Sequence, residues 1–211
     1  MKHSGLVVGL TGGIAMGKST VSKTFVENGI PVVDADQVAR DVVIPGSIGL
    51  NKIIKHFGED FLNKDGSLNR QALGQLVFFS YTEMNYLNGI MEPLITAESN
   101  RQINSFFNKG HKIVVYDAAL IVEKGNVEKF RPLIVVSCPQ DIQVQRLMSR
   151  NSLTRDEAMA RINSQGSIAA KVAVADYVID TSLSIENSVN QTIQIINNLR
   201  SMVSDEPKDN S

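Results

Sequence analysis

Five short runs of apolar, largely β-branched residues stand out along the chain, at residues 6–10, 30–33, 112–116, 133–138 and 177–179. None alternates polar with apolar positions as a half-exposed strand does, so each is expected to be a strand buried on both faces of a parallel sheet. Helical spacing fills the intervals. Val21, Phe25 and Val26 share one face of a helix that Gly29 can close, and with the flanking runs they make a βαβ unit. Thr154 and Glu157 stand at the spacing of a capping box. Over residues 184–202 a stripe of Ile185, Val189, Ile193, Ile196 and Leu199 predicts a terminal helix packed on the sheet, followed by a frayed tail over 204–211.

About 75 residues separate the second and third runs, far more than one crossover helix needs. Turn signals at 45–47 (PGS), at 65–67 (DGS) and at Pro93 punctuate this segment, while LNKIIKHF and RQALGQLVFF carry helical spacing. The expectation is an α/β core built from residues 1–44 and 110–203, with a helical subdomain over 45–109 inserted in it.

Composition narrows the chemistry. With 211 residues and 43% hydrophobic content, the chain can bury the core of one domain with a subdomain. A formal charge of -1 gives no general pull toward nucleic acid or an anionic membrane, so any anion must be held by local clusters. Cys138 is the single cysteine, which rules out an internal disulfide and reads as a buried thiol in a reducing compartment. No stretch reaches the length of a membrane span and the N-terminal apolar run is short for a secretory signal, so a cytoplasmic protein is expected. His3, His56 and His111 fit no metal-ligand spacing, and the Met and Phe residues read as core.

The first run leads into GLTGGIAMGKST, in which residues 12–19 match G-x-x-x-x-G-K-[ST] between a predicted strand and a predicted helix. Such a loop is a phosphate cradle. Gly12, Gly13, Ile14, Ala15, Met16 and Gly17 would curl backbone N–H groups around phosphate oxygens, and the following helix adds its positive end. Lys18 contributes a full positive charge, Ser19 a hydroxyl for Mg²⁺, and Thr20 a hydroxyl for an α-phosphate. A dinucleotide G-x-G-x-x-G does not occur.

Candidate residues for the rest of a phosphoryl transfer lie at the ends of the next runs. VVDADQVAR places Asp34 and Asp36 after the second, where one can poise an acceptor hydroxyl while the other serves metal or binding; the competing reading is that one of them, Asp34, caps the following helix. Two residues apart in extended chain, both can point the same way. Arg40, one turn on, can hold an anionic acceptor. VVYDAALIVE places Asp117 as a metal ligand through water and Glu123 soon after it. RLMSR puts Arg146 and Arg150 on one helical face, leading into a lid over about 146–176 that can neutralise phosphate charge and exclude water.

Taken in order, GLTGGIAMGKSTV, PVVDADQVAR, NGIMEPLI, DAALIVE, RLMSR, Ser164-Gln165 and VAVADYVID resemble the dephospho-coenzyme A kinase family over nearly the whole chain. The resemblance implies transfer of the ATP γ-phosphate to the ribose 3′-hydroxyl of dephospho-CoA, the final step of coenzyme A synthesis. It implies a P-loop NTPase fold like that of nucleotide kinases: a five-stranded parallel sheet of order 2-3-1-4-5 with helices on both faces, a helical acceptor subdomain and a lid. By position it makes Asp36 the general base and gives Asp34 a share in shaping the acceptor site. Lys18 and Arg146 would stabilise the transferring charge. Residues 12–20 and Arg150 would hold ATP with Mg²⁺ at Ser19 and Asp117, and Arg40 and Glu123 would serve the acceptor. Gln165 and Lys171 fall on the family's lid pattern without a role that sequence assigns.

The chain departs from that pattern at Met16, where a small residue is usual and an outward-pointing side chain is expected. Further departures are Glu92 in place of a histidine, Ala119 in place of a proline, and Thr181 in place of an asparagine. The partners implied are small molecules, with no nucleic acid and no membrane, for a monomer or small homo-oligomer. Other readings of the loop are a different nucleoside or nucleotide kinase and a non-catalytic nucleotide-binding regulator; D-x-x-G and N-K-x-D, the marks of a GTPase switch, are absent.

Overall fold

The structure, a computed structural model, describes residues 5–204, so His3 and the expected frayed tail beyond 204 lie outside the described residues. Its elements in chain order are β1 (Leu6–Gly12), α1 (Lys18–Glu27), β2 (Val32–Asp34), α2 (Ala35–Asp41), α3 (Ile48–Phe57), α4 (Arg70–Phe78) and α5 (Tyr81–Asn108). They continue with β3 (Ile113–Asp117), β4 (Leu133–Ser137), α6 (Gln140–Asn151), α7 (Arg155–Asn163), α8 (Ile168–Ala173), β5 (Tyr177–Asp180) and α9 (Ile185–Ser204).

All five expected strands form, and the sheet order is β2-β3-β1-β4-β5, with β1 pairing in parallel with β3 and with β4. The long apolar runs land in the middle: β1 and β4 are buried along nearly their whole length, as strands covered on both faces must be. Register then sets the chemistry. Leu10 pairs with Asp117 and Gly12 with Val136, so the loop after β1 leaves the sheet beside the last residues of β3 and β4. Over one face pack Phe25 from α1 and Ile195, Ile196 and Leu199 from α9, against Val8, Leu10, Val115 and Ile134.

The chain divides into two compact units, one running to Val33 and resuming at Asn104, the other spanning Asp34–Ile103. The second is helical and has its own core of Val43, Leu50, Ile53, Leu68, Leu73 and Val77. Ser47 and Asn69 cap α3 and α4 by accepting from the backbone N–H groups of Leu50 and Ala72.

Four sequence expectations need correction. Val26 is 57% exposed, and Thr24 rather than Val26 joins Val21 and Phe25 on the inner face of α1. The buried line of α9 runs through Ser188, Thr192, Ile195, Ile196 and Leu199, while Ile185 is exposed; the hydroxyls of Ser188 and Thr192 are buried because each donates back to the carbonyl four residues earlier. Pro93 does not end a helix but sits inside α5, where the carbonyl that loses its N–H partner belongs to Gly89, a residue whose backbone adapts readily. Phe78 and Phe79 stand 75% and 86% exposed at the end of α4 rather than in a core.

Gly9 shows how tightly β1 is held. A Cβ there would lie 2.6 Å from the Phe130 carbonyl oxygen and 2.9 Å from a Leu133 methyl. Gly9→Ala is therefore expected to lower unfolding free energy by about 1–3 kcal/mol in urea titration, the usual cost of forcing a methyl into a packed site; a midpoint equal to wild type would show that the β1–β4 layer yields.

Candidate active site

Residues 13–17 fold into the loop that the glycines predicted. Gly17 has φ 84° and serves as the N-cap of α1, while Ala15 takes φ 60°, a left-handed conformation unusual for a residue with a Cβ. Two turns stiffen the loop, Met16 N–H to the Gly13 carbonyl at 3.3 Å and Thr20 N–H to the Gly17 carbonyl at 3.0 Å. The N–H groups of Ala15, Gly17, Lys18 and Ser19 meet no acceptor among the described residues. Unpaired amides clustered at the first turn of a helix form an anion-binding concavity.

Lys18 Nζ forms an ion pair with Asp117 Oδ1, and Ser22 Oγ donates to Asp117 Oδ2 at 2.5 Å. Both follow from register, because Asp117 ends β3 opposite Leu10. Its side chain is only 6% exposed, and the ammonium that balances its charge belongs to the loop. Ser19 is exposed at the first turn of α1.

Gln143, on α6 and 3% exposed, donates from Nε2 to the Ile14 carbonyl at 2.8 Å; the Ile14 N–H donates to Gln165 Oε1 at 2.7 Å. Gln165 belongs to the turn between α7 and α8. That turn is fixed again by Gly166 N–H donating to Glu123 at 3.2 Å and by Lys171, which is 2% exposed, pairing with Glu123 at 2.8 Å and donating to the Ala119 carbonyl at 2.5 Å. Glu123, expected on the acceptor side, is thus bonded to Gly166 in the α7–α8 turn and to Lys171 on α8. Burial pushes its carboxyl upward, but the bonds from Lys171 and Gly166 outweigh burial and hold it below the usual glutamate value.

Met16 is not outward-pointing: it is 2% exposed, with Sδ 3.3 Å from the Gly13 N–H, because the left-handed Ala15 turns it into the fold. It lines a cavity of about 440 Å³ with Gly13, Cys138, Gln143, Gln165 and Lys171. Cys138 is the buried thiol expected; burial raises its pKa, partly offset by Arg146. A second cavity of about 300 Å³ is lined by Gly17, Thr20, Arg146, Thr181, Leu183 and Ile185. Thr181 organises it, donating to the Met16 carbonyl at 2.9 Å while receiving Arg146 on its hydroxyl at 3.0 Å and on its carbonyl at 2.6 Å. Arg150 is exposed and bonded to its neighbour Asn151.

Comparison with known proteins gives this loop its lineage. The family model described as Dephospho-CoA kinase matches residues 6–187. The chain belongs to the dephospho-CoA kinase family. It is 40% identical over 191 residues to a dephospho-CoA kinase of Halalkalibacterium halodurans, covering 90% of this chain and 95% of that one. With the Listeria innocua dephospho-CoA kinase it shares 42% over 192 residues, covering 91% and 96%. Among solved structures, TT1252 from Thermus thermophilus superimposes with a TM-score of 0.79 at 25% identity, covering 93% of this chain and 98% of that one. The dephospho-CoA kinase from Campylobacter jejuni does so with a TM-score of 0.63 at 26% identity, covering 92% and 96%.

In the Asp34–Ile103 unit of this family member, the extended reading of DAD needs correction. Strand β2 ends at Asp34, whose carboxylate accepts from the N–H groups of Asp36 and Gln37 and so caps α2; Asp36 already lies in the first helical turn. Asp36 is exposed, and its carboxylate takes no partner among the described residues. Arg40, also exposed, has a neighbour that sequence spacing did not suggest: Arg70 Nη2 donates to the Arg40 carbonyl at 3.2 Å, and burial together with the Arg40 charge lowers the Arg70 pKa. They stand thirty positions apart in the chain, so only the fold brings the Arg70 guanidinium to the Arg40 backbone. Glu92 lies within α5.

Because the folded pKa of Glu123 is depressed, its pairing stabilises the protein above the unfolded glutamate pKa and loses that contribution as pH falls through the folded value. Lys171→Met should cost about 2–3 kcal/mol at neutral pH, as removal of one partner from a largely buried pair does. In urea titrations the gap from wild type should narrow below about pH 4; a gap independent of pH would mean that the pair is not what stabilises the lid segment.

Proposed function

We propose that this chain transfers the γ-phosphoryl group of ATP to the ribose 3′-hydroxyl of dephospho-CoA, giving coenzyme A and ADP in the last step of coenzyme A synthesis. The observation that carries the proposal is the family match across residues 6–187, which takes in both the phosphate loop and the Asp34–Arg40 segment. Its 40–42% identity to relatives named dephospho-CoA kinase extends over nine-tenths of the chain.

In this reading the unpaired amides from Ala15 to Ser19 receive the ATP phosphates, and Lys18 turns from Asp117 to the phosphate oxygens as these arrive. The base and sugar occupy the cavity lined by Thr20, Arg146 and Thr181, with Arg150 at its outer side. Arg146 contributes to charge on the transferred group by giving up a bond to Thr181. Mg²⁺ fits the residues present, since Ser19 and Asp117 are hard oxygen donors at one end of the loop. Among the described residues no group of three or more His, Cys, Asp or Glu side chains forms a dedicated metal cage. That sparse set suits an ion that takes its remaining ligands from phosphates and water; when bound, it neutralises phosphate charge.

Asp36 accepts the proton of the 3′-hydroxyl as the oxygen attacks the γ-phosphorus and the bond to the β-phosphate oxygen breaks, with ADP leaving. Its exposure and lack of a partner support this role, because Asp34 already performs the capping. Asp34 shapes the segment, while Arg40 and Arg70 bind the acceptor's phosphates, and Glu123 anchors the lid over about 146–176 that excludes water. The proposal is completed by a cytoplasmic location and a monomer or small homo-oligomer acting on small molecules without nucleic acid, the last supported by the near-neutral charge.

ATP consumption by the purified chain should depend on added dephospho-CoA. Slow hydrolysis indifferent to it would favour a regulator, and faster turnover with a nucleoside or nucleotide would favour another kinase. Asp36→Asn should lower kcat by about 10²–10⁴-fold with ATP affinity near wild type, the signature of a group that acts on the transferring proton. Equal loss of ATP binding would contradict its role as base.

A further inference from the structure

We infer that Gln165 is a positioning residue for nucleotide binding: from the α7–α8 turn, its side-chain carbonyl holds the Gly13–Ile14 peptide and, together with Gln143 on the Ile14 carbonyl, keeps Ala15 in the left-handed conformation that shapes the phosphate loop. The inference rests on the reading that this loop binds ATP. Ala15 at φ 60° occupies a region that a residue with a Cβ enters reluctantly, so the loop needs support from outside itself. That support acts on Ile14, the residue before Ala15, through both of its peptide groups: its N–H in the Gly13–Ile14 peptide and its carbonyl in the Ile14–Ala15 peptide. Gln165 Oε1 accepts the Ile14 N–H at 2.7 Å, and the buried Gln143 donates to the Ile14 carbonyl at 2.8 Å, so neither end of the residue can turn without losing a bond.

Gln165 can exert this hold because its own backbone is fixed. Gly166, the next residue, donates to Glu123, and Glu123 is held by Lys171. A Cβ on Gly166 would stand 2.7 Å from Glu123 Oε1, so the turn is seated tightly on that carboxylate. The α7–α8 turn thereby supports the loop through bonds within the chain itself. A neutral amide suits the place, since a carboxylate there would bring negative charge to the loop that receives phosphate.

The test separates support from simple stapling of the fold. Gln165→Met keeps the length and removes the acceptor. ATP affinity measured by calorimetry should weaken about fivefold, the scale of one ordinary hydrogen bond, with kcat at saturating ATP within about twofold of wild type. Adding Ala15→Gly to that variant should recover most of the lost affinity, because glycine enters the left-handed region without needing to be held there. Unchanged ATP affinity in Gln165→Met overturns the inference, as does a weakened affinity that Ala15→Gly fails to recover. The binding measurement uses no acceptor, so failure of the dephospho-CoA assignment would appear in turnover and leave this result intact.

Discussion

The contact between Lys18 and Asp117 ties the glycine-rich loop to the sheet. It joins the first residue of α1 to the last residue of β3, and it exists because β1 and β3 pair with Leu10 opposite Asp117. A carboxylate this buried requires a countercharge, and the chain supplies one from the end of the glycine-rich loop. The loop therefore holds its main cation in place through a contact that an arriving phosphate can replace. Ser22 donates to the other carboxylate oxygen and holds Asp117 from a second side.

Around that contact the loop is braced from two directions. Thr181 reaches the Met16 carbonyl from the end of β5, and Gln143 and Gln165 hold Ile14 from α6 and the α7–α8 turn. Met16 adds a sulfur acceptor for the Gly13 N–H from inside. Thr181 and Met16 thus bond to one another through the loop backbone. The pair forms one hydrogen-bonded support.

Much of this was legible in the residues. Strands buried on both faces announce themselves as unbroken apolar runs, which is why all five were found, and G-x-x-x-x-G-K-S between strand and helix points to phosphate by its chemistry. The order of the sheet followed from resemblance rather than periodicity, since apolar runs do not encode their neighbours. What stayed hidden was tertiary. Arg70 meets Arg40 across thirty residues, Lys171 is buried because Glu123 is opposite it, and α9 places serine and threonine inward because their hydroxyls bond to their own helix. Polar residues satisfied by the fold leave no trace in a hydrophobic pattern. Pro93 misled for the opposite reason, a strong local signal overridden by a 28-residue helix with its own packing.

The central claim is that Asp117 and phosphate compete for Lys18. Calorimetric titration of ATP with all divalent metal chelated measures this directly, because it removes any part Asp117 plays toward Mg²⁺. Asp117→Asn should bind metal-free ATP several-fold more tightly than wild type, since the lysine is released and a negative charge beside the phosphates is removed. Affinity equal to or weaker than wild type would contradict the account.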